Sequence, residues 1–263
     1  MIKFIENKNI KIYLKEDVVK DSNQAILLIH GLAEHSGRYN EFVKILNDNN
    51  ISVFSMDLRG HGQTVSKKGD ISSWKHTIED VDKVIDYIKQ NYNFDKLGIF
   101  GHSLGGLIAS LYASMHGDKI SFIILSSPAI YCPKKLKFLR FLPYKLMSFI
   151  YVKKKHSESK EMLEVSRNDK FALHKYSIRM IGVFFIDAIK ALNKICFIDK
   201  PLLLVRGKQD NLLNEQMEFR KFFDKLDNDK NKMIVYENTK HRIVQNNGCE
   251  GRIKDIIDWT NIL

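Results

Sequence analysis

The chain has 263 residues, enough to bury a full core as one large domain or as one domain carrying an insertion, and it contains no repeat or low-complexity tract. No apolar run approaches the roughly eighteen positions that span a bilayer, and Met1 to Ile10 alternates charged and apolar side chains where an export signal would be continuously apolar. The net charge of +11 raises the question of nucleic acid, but nine of the basic residues fall between Lys119 and Ser157, where no acidic residue occurs and large apolar side chains are interleaved with the lysines.

These properties predict a soluble cytoplasmic protein. Cys132, Cys196 and Cys249 are odd in number and lack the paired spacing of a metal site, so they read as free thiols in a reducing compartment.

Along the chain, short apolar runs at Ala25 to Ile29, Ile51 to Ser55, Lys96 to Phe100, Ser121 to Leu125, Leu202 to Val205 and Met233 to Tyr236 read as buried strands. Between them, Tyr39 to Asp48, His76 to Gln90, Leu104 to Met115, Asn214 to Leu226 and Glu250 to Trp259 carry apolar residues at helical spacing. The alternation predicts an α/β fold, a mostly parallel sheet with helices on both faces. Ile10 to Leu14 is expected to pair antiparallel at an edge. Pro128 to about Cys196 breaks the rhythm, with helical character and no convincing strand, and reads as a helical cap. The expected division is core 1–127, cap 128–195 and core 196–263.

Gly101-His102-Ser103-Leu104-Gly105 stands where an apolar strand gives way to a helix. A serine on that sharp turn exposes its hydroxyl beside a helix N-terminus, whose free N–H groups suit a developing oxyanion; an ordinary turn with a capping serine is the plainer alternative. Serine needs a base, usually a histidine oriented by a buried carboxylate, and on this kind of sheet the order is Ser, Asp or Glu, then His. Of nine histidines only His241 follows the final strand. Asp199 precedes the strand Leu202 to Val205, at the wrong end of the sheet, whereas Asp210 follows it. Ser103, Asp210 and His241 are therefore the expected triad, with Leu32 and Leu104 supplying backbone N–H groups to an oxyanion hole.

These residues resemble the α/β-hydrolase superfamily and, within it, the monoacylglycerol lipase and lysophospholipase-like branch. The most specific run is His30-Gly31-Leu32-Ala33-Glu34-His35-Ser36-Gly37-Arg38-Tyr39, and Asp57-Leu58-Arg59-Gly60-His61-Gly62, the serine motif, Ser166-Arg167-Asn168 and Arg206-Gly207-Lys208-Gln209-Asp210 extend it over nearly the whole chain. The resemblance implies a serine carboxylester hydrolase acting on monoacylglycerols or related single-chain lipids, with no cofactor and no metal. Lysophospholipids, short esters and thioesters would follow the same steps. It also implies a mobile cap that accepts an acyl chain, which nominates Phe138, Leu142 and Leu146 as substrate contacts; Glu34, His35 and Arg38 are expected to brace the oxyanion loop or to touch the head group. Arg242-Ile243-Val244-Gln245-Asn246 departs from that branch's more acidic continuation.

The basic segment around Leu136 to Val152 reads either as a surface that meets a membrane or micelle, or as a helix with its lysines in water. A non-catalytic lipid-binding protein of the same fold is the competing class. Nucleic-acid binding is not expected, because no recognised motif accompanies the charge.

Overall fold

The computed structural model describes residues 1–153, 168–245 and 248–263. Its framework is an eight-stranded sheet: β1 (Ile2–Asn7), β2 (Ile10–Asp17), β3 (Gln24–Ile29), β4 (Ile51–Met56), β5 (Lys96–His102), β6 (Phe122–Ser126), β9 (Leu202–Gly207) and β10 (Lys232–Tyr236). Their spatial order is β1-β2-β4-β3-β5-β6-β9-β10. From β4 to β10 every pairing is parallel, while β2 pairs antiparallel with both β1 and β4.

The sheet is mostly parallel, as its apolar runs foretold. One placement is corrected: β2 is not an edge strand, because β1 pairs with it along its length, Ile2 opposite Lys15 through Asn7 opposite Ile10. β1 is largely exposed, and this accounts for its mixture of charged and apolar residues.

The parallel strands are apolar on both faces because both faces are covered. Along β3, Ala25, Leu27 and Ile29 belong to one core and Ile26 and Leu28 to the other, the two-residue period of a pleated strand. Helices α2 (Trp74–Asn91) and α3 (Leu104–His116) cover the first face; α1 (Asn40–Asp48) and α6 (Glu250–Asn261) cover the second. α3 is buried from Leu104 to Ala113, which explains why its apolar residues encircle it instead of forming a stripe. Each fully buried leucine or isoleucine contributes roughly 1.5–3 kcal/mol. α5 (Gln216–Phe223) connects β9 to β10.

Between β6 and β9 the chain leaves the sheet. It forms 3₁₀ helices at Lys134–Phe141 and Tyr144–Leu146, then strand β7 (Tyr151–Lys153), strand β8 (Lys175–Ser177) and helix α4, which runs from Ile178–Gly182 through a π-helical stretch Val183–Ala188 to Ile189–Ile195. The expectation of a segment without strands is corrected, because β7 and β8 pair antiparallel. Three-residue strands far apart in sequence leave neither a recognisable alternation nor a hairpin signal.

Two aspartates fasten this insertion. Asp70, in the loop after β4, accepts from Ser177 Oγ at 2.6 Å and from Arg179 at the start of α4. Burial pushes the Asp70 carboxyl up, but hydrogen bonds from Arg179, Ser177 and Lys67 outweigh it and hold its pKa below the ordinary value. Asp169 makes the second attachment, described below. Among the described residues no helix is long and apolar enough to cross a membrane.

Candidate active site

Open parallel sheets place ligands beyond the carboxyl ends of their strands, where the strand order reverses. Here that point lies between β3 and its neighbours β4 and β5. Among the described residues six non-glycine positions have positive φ, and three stand at this edge: Ala33 (+62°) after β3, Ser103 (+52°) after β5 and Ser127 (+42°) after β6. Such conformations cost about 1–3 kcal/mol each and survive only where surrounding structure enforces them.

Around Ser103 the enforcement is visible. Its N–H donates to Ser126 O at 2.9 Å, and its carbonyl accepts from Gly106 N at 3.0 Å and Ala129 N at 2.8 Å. A Cβ on Gly105 would strike the carbonyl oxygens of Ile29 and His30, so only glycine lets α3 start this close to β3. Ser103 is left partly exposed at the head of the helix.

The loop after β3 passes directly over this turn. A Cβ on Gly31 would stand 3.4 Å from Ser103 Cβ and 2.9 Å from Glu34 Oε1. No hydrogen bond among the described residues uses the N–H of Leu32 or Leu104, so both backbone donors expected of an oxyanion hole are uncommitted. Asp57, fully buried after β4, accepts from Ser36 N and Gln63 N at 2.7 Å each and ties this loop to its neighbour.

Asp210 lies just beyond β9, 1% exposed. One carboxylate oxygen accepts from Leu212 N at 2.8 Å and Leu213 N at 2.9 Å; the other accepts from His241 Nδ1 at 2.7 Å. Burial pushes this carboxyl up, yet the hydrogen bond and charge of His241 and the two N–H donors outweigh it and hold the pKa below the ordinary value. With Nδ1 committed to Asp210, Nε2 of His241 is the nitrogen available for proton transfer. The two loops are locked together: Gln209 N donates to Thr239 O at 3.0 Å, and Gly207 packs against the carbonyls of Thr239 and Lys240.

His241 reaches the serine turn through His102, whose ring centroid is 4.9 Å from its own. The structure thus brings Asp210 and His241 into contact and sets them beside the residue that precedes Ser103. It does not join Ser103 Oγ to His241, since Oγ makes no hydrogen bond among the described residues. The remaining histidines of the edge are unsuited to a base role. His30 accepts from Leu58 N through Nε2 and donates to Gly31 O through Nδ1. Burial, with His30 as neighbour, lowers His61 to about 3, and burial with His241 as neighbour lowers His102 to about 3, so both are neutral near neutrality.

Glu34 is buried and accepts from Tyr39 OH at 3.3 Å and Gln245 Nε2 at 2.8 Å. The departure noted after His241 has a physical sense here, because an amide can donate to Glu34 where a carboxylate would repel it. Arg38 donates through Nε to Asp169 Oδ2 at 2.9 Å and has an 8% exposed side chain. Phe138, Leu142 and Leu146 are 57%, 36% and 75% exposed on the insertion. Asn168 is described; Ser166, Arg167 and Asn246 lie outside the described residues.

One residue of the site escaped sequence reasoning: Asp169 immediately follows the Ser166-Arg167-Asn168 run, which was its only signal. Arg206, named in its motif but given no role, is 2% exposed with its guanidinium 4.4 Å over the Phe219 ring, a buried cation just upstream of Asp210. Among the described residues no group of three or more His, Cys, Asp or Glu could hold a metal ion.

The doubly covered parallel sheet and the strained serine between strand and helix define an α/β hydrolase of the serine type. The chain matches the model of a family described as serine aminopeptidase, S33, over residues 20–247, and it belongs to that family. It is similar to the monoglyceride lipase of Mus musculus, 25% identical over 226 residues that cover 82% of this chain and 74% of that protein. Phospholipase YtpA of Bacillus subtilis is 27% identical over 213 residues, 75% of this chain and 80% of that one. A soluble variant of the Saccharomyces cerevisiae monoglyceride lipase, solved with a substrate analog, shares the fold at a TM-score of 0.85 and 21% identity, over 100% of this chain and 95% of that one.

Proposed function

We propose that the chain is a carboxylester hydrolase that cleaves monoacylglycerols or related single-chain lipid esters through an acyl-enzyme on Ser103. The observation that carries this reading is the pairing of a strained Ser103 (φ +52°) with an Asp210–His241 hydrogen bond of 2.7 Å at the same sheet edge. Similarity to lipases and a phospholipase supports a lipid substrate.

Ser103 Oγ attacks the ester carbonyl while His241 Nε2 accepts its proton. The oxyanion takes hydrogen bonds from the N–H groups of Leu32 and Leu104. On collapse the carbon–oxygen bond to the alcohol breaks, and His241 returns the proton to the leaving alcohol. Water then attacks the acyl-serine, His241 accepts its proton, and the fatty acid leaves as Ser103 recovers its hydrogen. Asp210 orients the imidazole and stabilises its charged form. The mechanism calls for no cofactor.

In this reading residues 1–127 and 196–263 are the catalytic core and 128–195 a cap. Glu34 and Arg38 brace the oxyanion loop, and Phe138, Leu142 and Leu146 are acyl-chain contacts when substrate enters. The cap meets the membrane or micelle from which the lipid comes, and the protein works in the cytoplasm.

Hydrolysis of a monoacylglycerol, a chain-matched lysophospholipid and a short ester by the wild type and Ser103→Ala tests the proposal. A monoacylglycerol preference abolished in the variant supports it. Preference for another ester keeps the triad and moves the substrate. An inert wild type refutes catalysis and favours a lipid-binding role.

A further inference from the structure

Along β9 the side chains of Leu202, Leu204 and Arg206 fall on one face, and the two leucines belong to the core that also contains Tyr131 and Phe219. The alternation thus sets an arginine where the sheet calls for an apolar residue. Arg206 is 2% exposed; among the described residues it forms no ion pair, and its Nε and Nη2 have no hydrogen-bond partner. A guanidinium stays protonated in a folded protein, so this is a buried cation without a bonded anion. Such a charge is costly to bury, and breaking the apolar pattern this way is a mark of a functional site.

What holds Arg206 is aromatic. Its guanidinium lies 4.4 Å over the Phe219 ring of α5, the Tyr131 ring meets Phe219 edge-on at 5.5 Å and 87°, and Tyr131 OH accepts from Glu215 N at 3.0 Å. β9 and α5 are the two ends of the loop that carries Asp210, so this stack clamps the loop at its root. On the adjacent strand β10 the residue opposite Arg206 is Val235, which is apolar.

The charge that Arg206 faces is Asp210. Burial lowers the Arg206 pKa and the Asp210 charge opposes the fall, while burial pushes the Tyr131 phenol up to about 12 and leaves it neutral. Both carboxylate oxygens of Asp210 are already engaged, by Leu212 and Leu213 N–H and by His241 Nδ1, so the guanidinium acts on the pair through space. From the serine turn His102 faces His241 and is neutral, with Glu34 and Arg242 acting on it with opposite charges. A cation fixed beside a titrating pair disfavours the addition of a proton.

We propose that Arg206 is a positioning residue that acts through Asp210: its positive charge, clamped at the root of the Asp210 loop, keeps the Asp210–His241 pair from taking up a proton in mild acid. The role in catalysis rests on the ester-hydrolase reading above.

Arg206→Met keeps the bulk and removes the charge, whereas Arg206→Lys keeps the charge. On a dissolved short ester the acidic limb of kcat/KM is expected to move to higher pH by roughly half a unit to one unit in Arg206→Met, the order of effect of a unit charge within about 10 Å, and to stay within about 0.2 unit of the wild type in Arg206→Lys. The melting temperature of Arg206→Met should equal or exceed that of the wild type, because an apolar side chain replaces an unbonded buried charge. A residue that only packs gives the reverse, a lower melt and an unmoved limb. The Nδ1 proton of the Asp210–His241 bond, followed by NMR as a function of pH and assigned with Asp210→Asn, reads the same pair without turnover.

An unmoved limb in Arg206→Met, an equal shift in Arg206→Lys, or an Arg206→Met chain that melts well below the wild type or does not fold overturns the inference. A wild type that cleaves esters, with neither limb nor proton resonance displaced by Arg206→Met, refutes the role of Arg206 and leaves the hydrolase reading standing. One that cleaves no ester but shows the displaced resonance refutes that reading and leaves the action of Arg206 on the pair.

Discussion

Asp169 accepts a hydrogen bond from His35 Nε2 at 2.9 Å, across 134 residues of sequence, and so joins the returning limb of the insertion to the loop that carries Leu32. The same carboxylate accepts from Arg38 Nε at 2.9 Å and from Phe171 N at 3.0 Å. His35 Nδ1 accepts from Gly37 N, which leaves Nε2 as the protonated nitrogen aimed at the aspartate.

Asp169→Ala should therefore loosen both partners at once. We expect thermal stability to fall by about 1–3 kcal/mol, because His35 and Arg38 are left buried without their acceptor. On the proposed mechanism, kcat for a short dissolved ester should drop about tenfold as the Leu32 N–H, the proposed oxyanion donor, loses its placement. Asp169→Asn, which keeps an acceptor, should lie between. Steady-state kinetics together with denaturant unfolding checks this, and unchanged kcat would sever the link between insertion and oxyanion loop.

Acid should release the same attachment. Burial raises the Asp169 carboxyl, but hydrogen bonds from His35 and Arg38 outweigh it and leave the folded pKa below the ordinary 3.8. A carboxylate with a depressed folded pKa adds stability that is full above the unfolded value and disappears as pH falls through the folded one. Limited proteolysis of the insertion should accelerate in that acidic window, and Asp169→Asn should cut equally fast on either side of it.

A larger pH effect should appear at milder acidity. His61 and His102 are lowered from 6.5 to about 3 by burial, so once unfolded each binds a proton that the native chain refuses. Unfolding free energy should decline steadily as pH drops below about 6.5, toward their folded values. Urea melts across that range measure the slope, and His61→Gln should make it shallower by about one proton.

For the reaction itself, Ser103→Ala should abolish ester turnover, and Asp210→Asn should reduce kcat on the order of 10⁴-fold by leaving the imidazole in the wrong tautomer. Both should remain folded by circular dichroism. Appreciable residual turnover in Ser103→Ala would assign the nucleophile elsewhere.

Gly105→Ala tests the turn as architecture. Its Cβ meets the carbonyl oxygens of Ile29 and His30, backbone atoms that cannot step aside, so we expect a loss of more than about 3 kcal/mol. Gly251→Ala, with open space around it, serves as the control and should leave the melting temperature within a degree or two.

The sequence was most legible where one local rule determines the answer. Buried parallel strands must be apolar on both faces, so β3, β4, β5, β6 and β9 announced themselves, and the glycines around Ser103 marked a turn that nothing larger could make. β1 was hidden because an exposed edge strand needs no apolar pattern. The β7–β8 ribbon was hidden because its pairing is non-local and only three residues long. Asp210 and His241 could be nominated from their positions after strands, whereas Asp169 and Gln245 act through partners more than a hundred residues away. No local window contains that information.

The bond between Glu34 and Gln245 spans 211 residues, and His241 arrives on the loop after β10, the last strand. During synthesis the serine turn can close once β6 has emerged, since Ser103 N–H bonds to Ser126 O, whereas the loop above it waits for Asp169 and Gln245. On the proposed mechanism a nascent chain therefore carries Ser103 without its base, and hydrolysis begins only when the end of the chain docks.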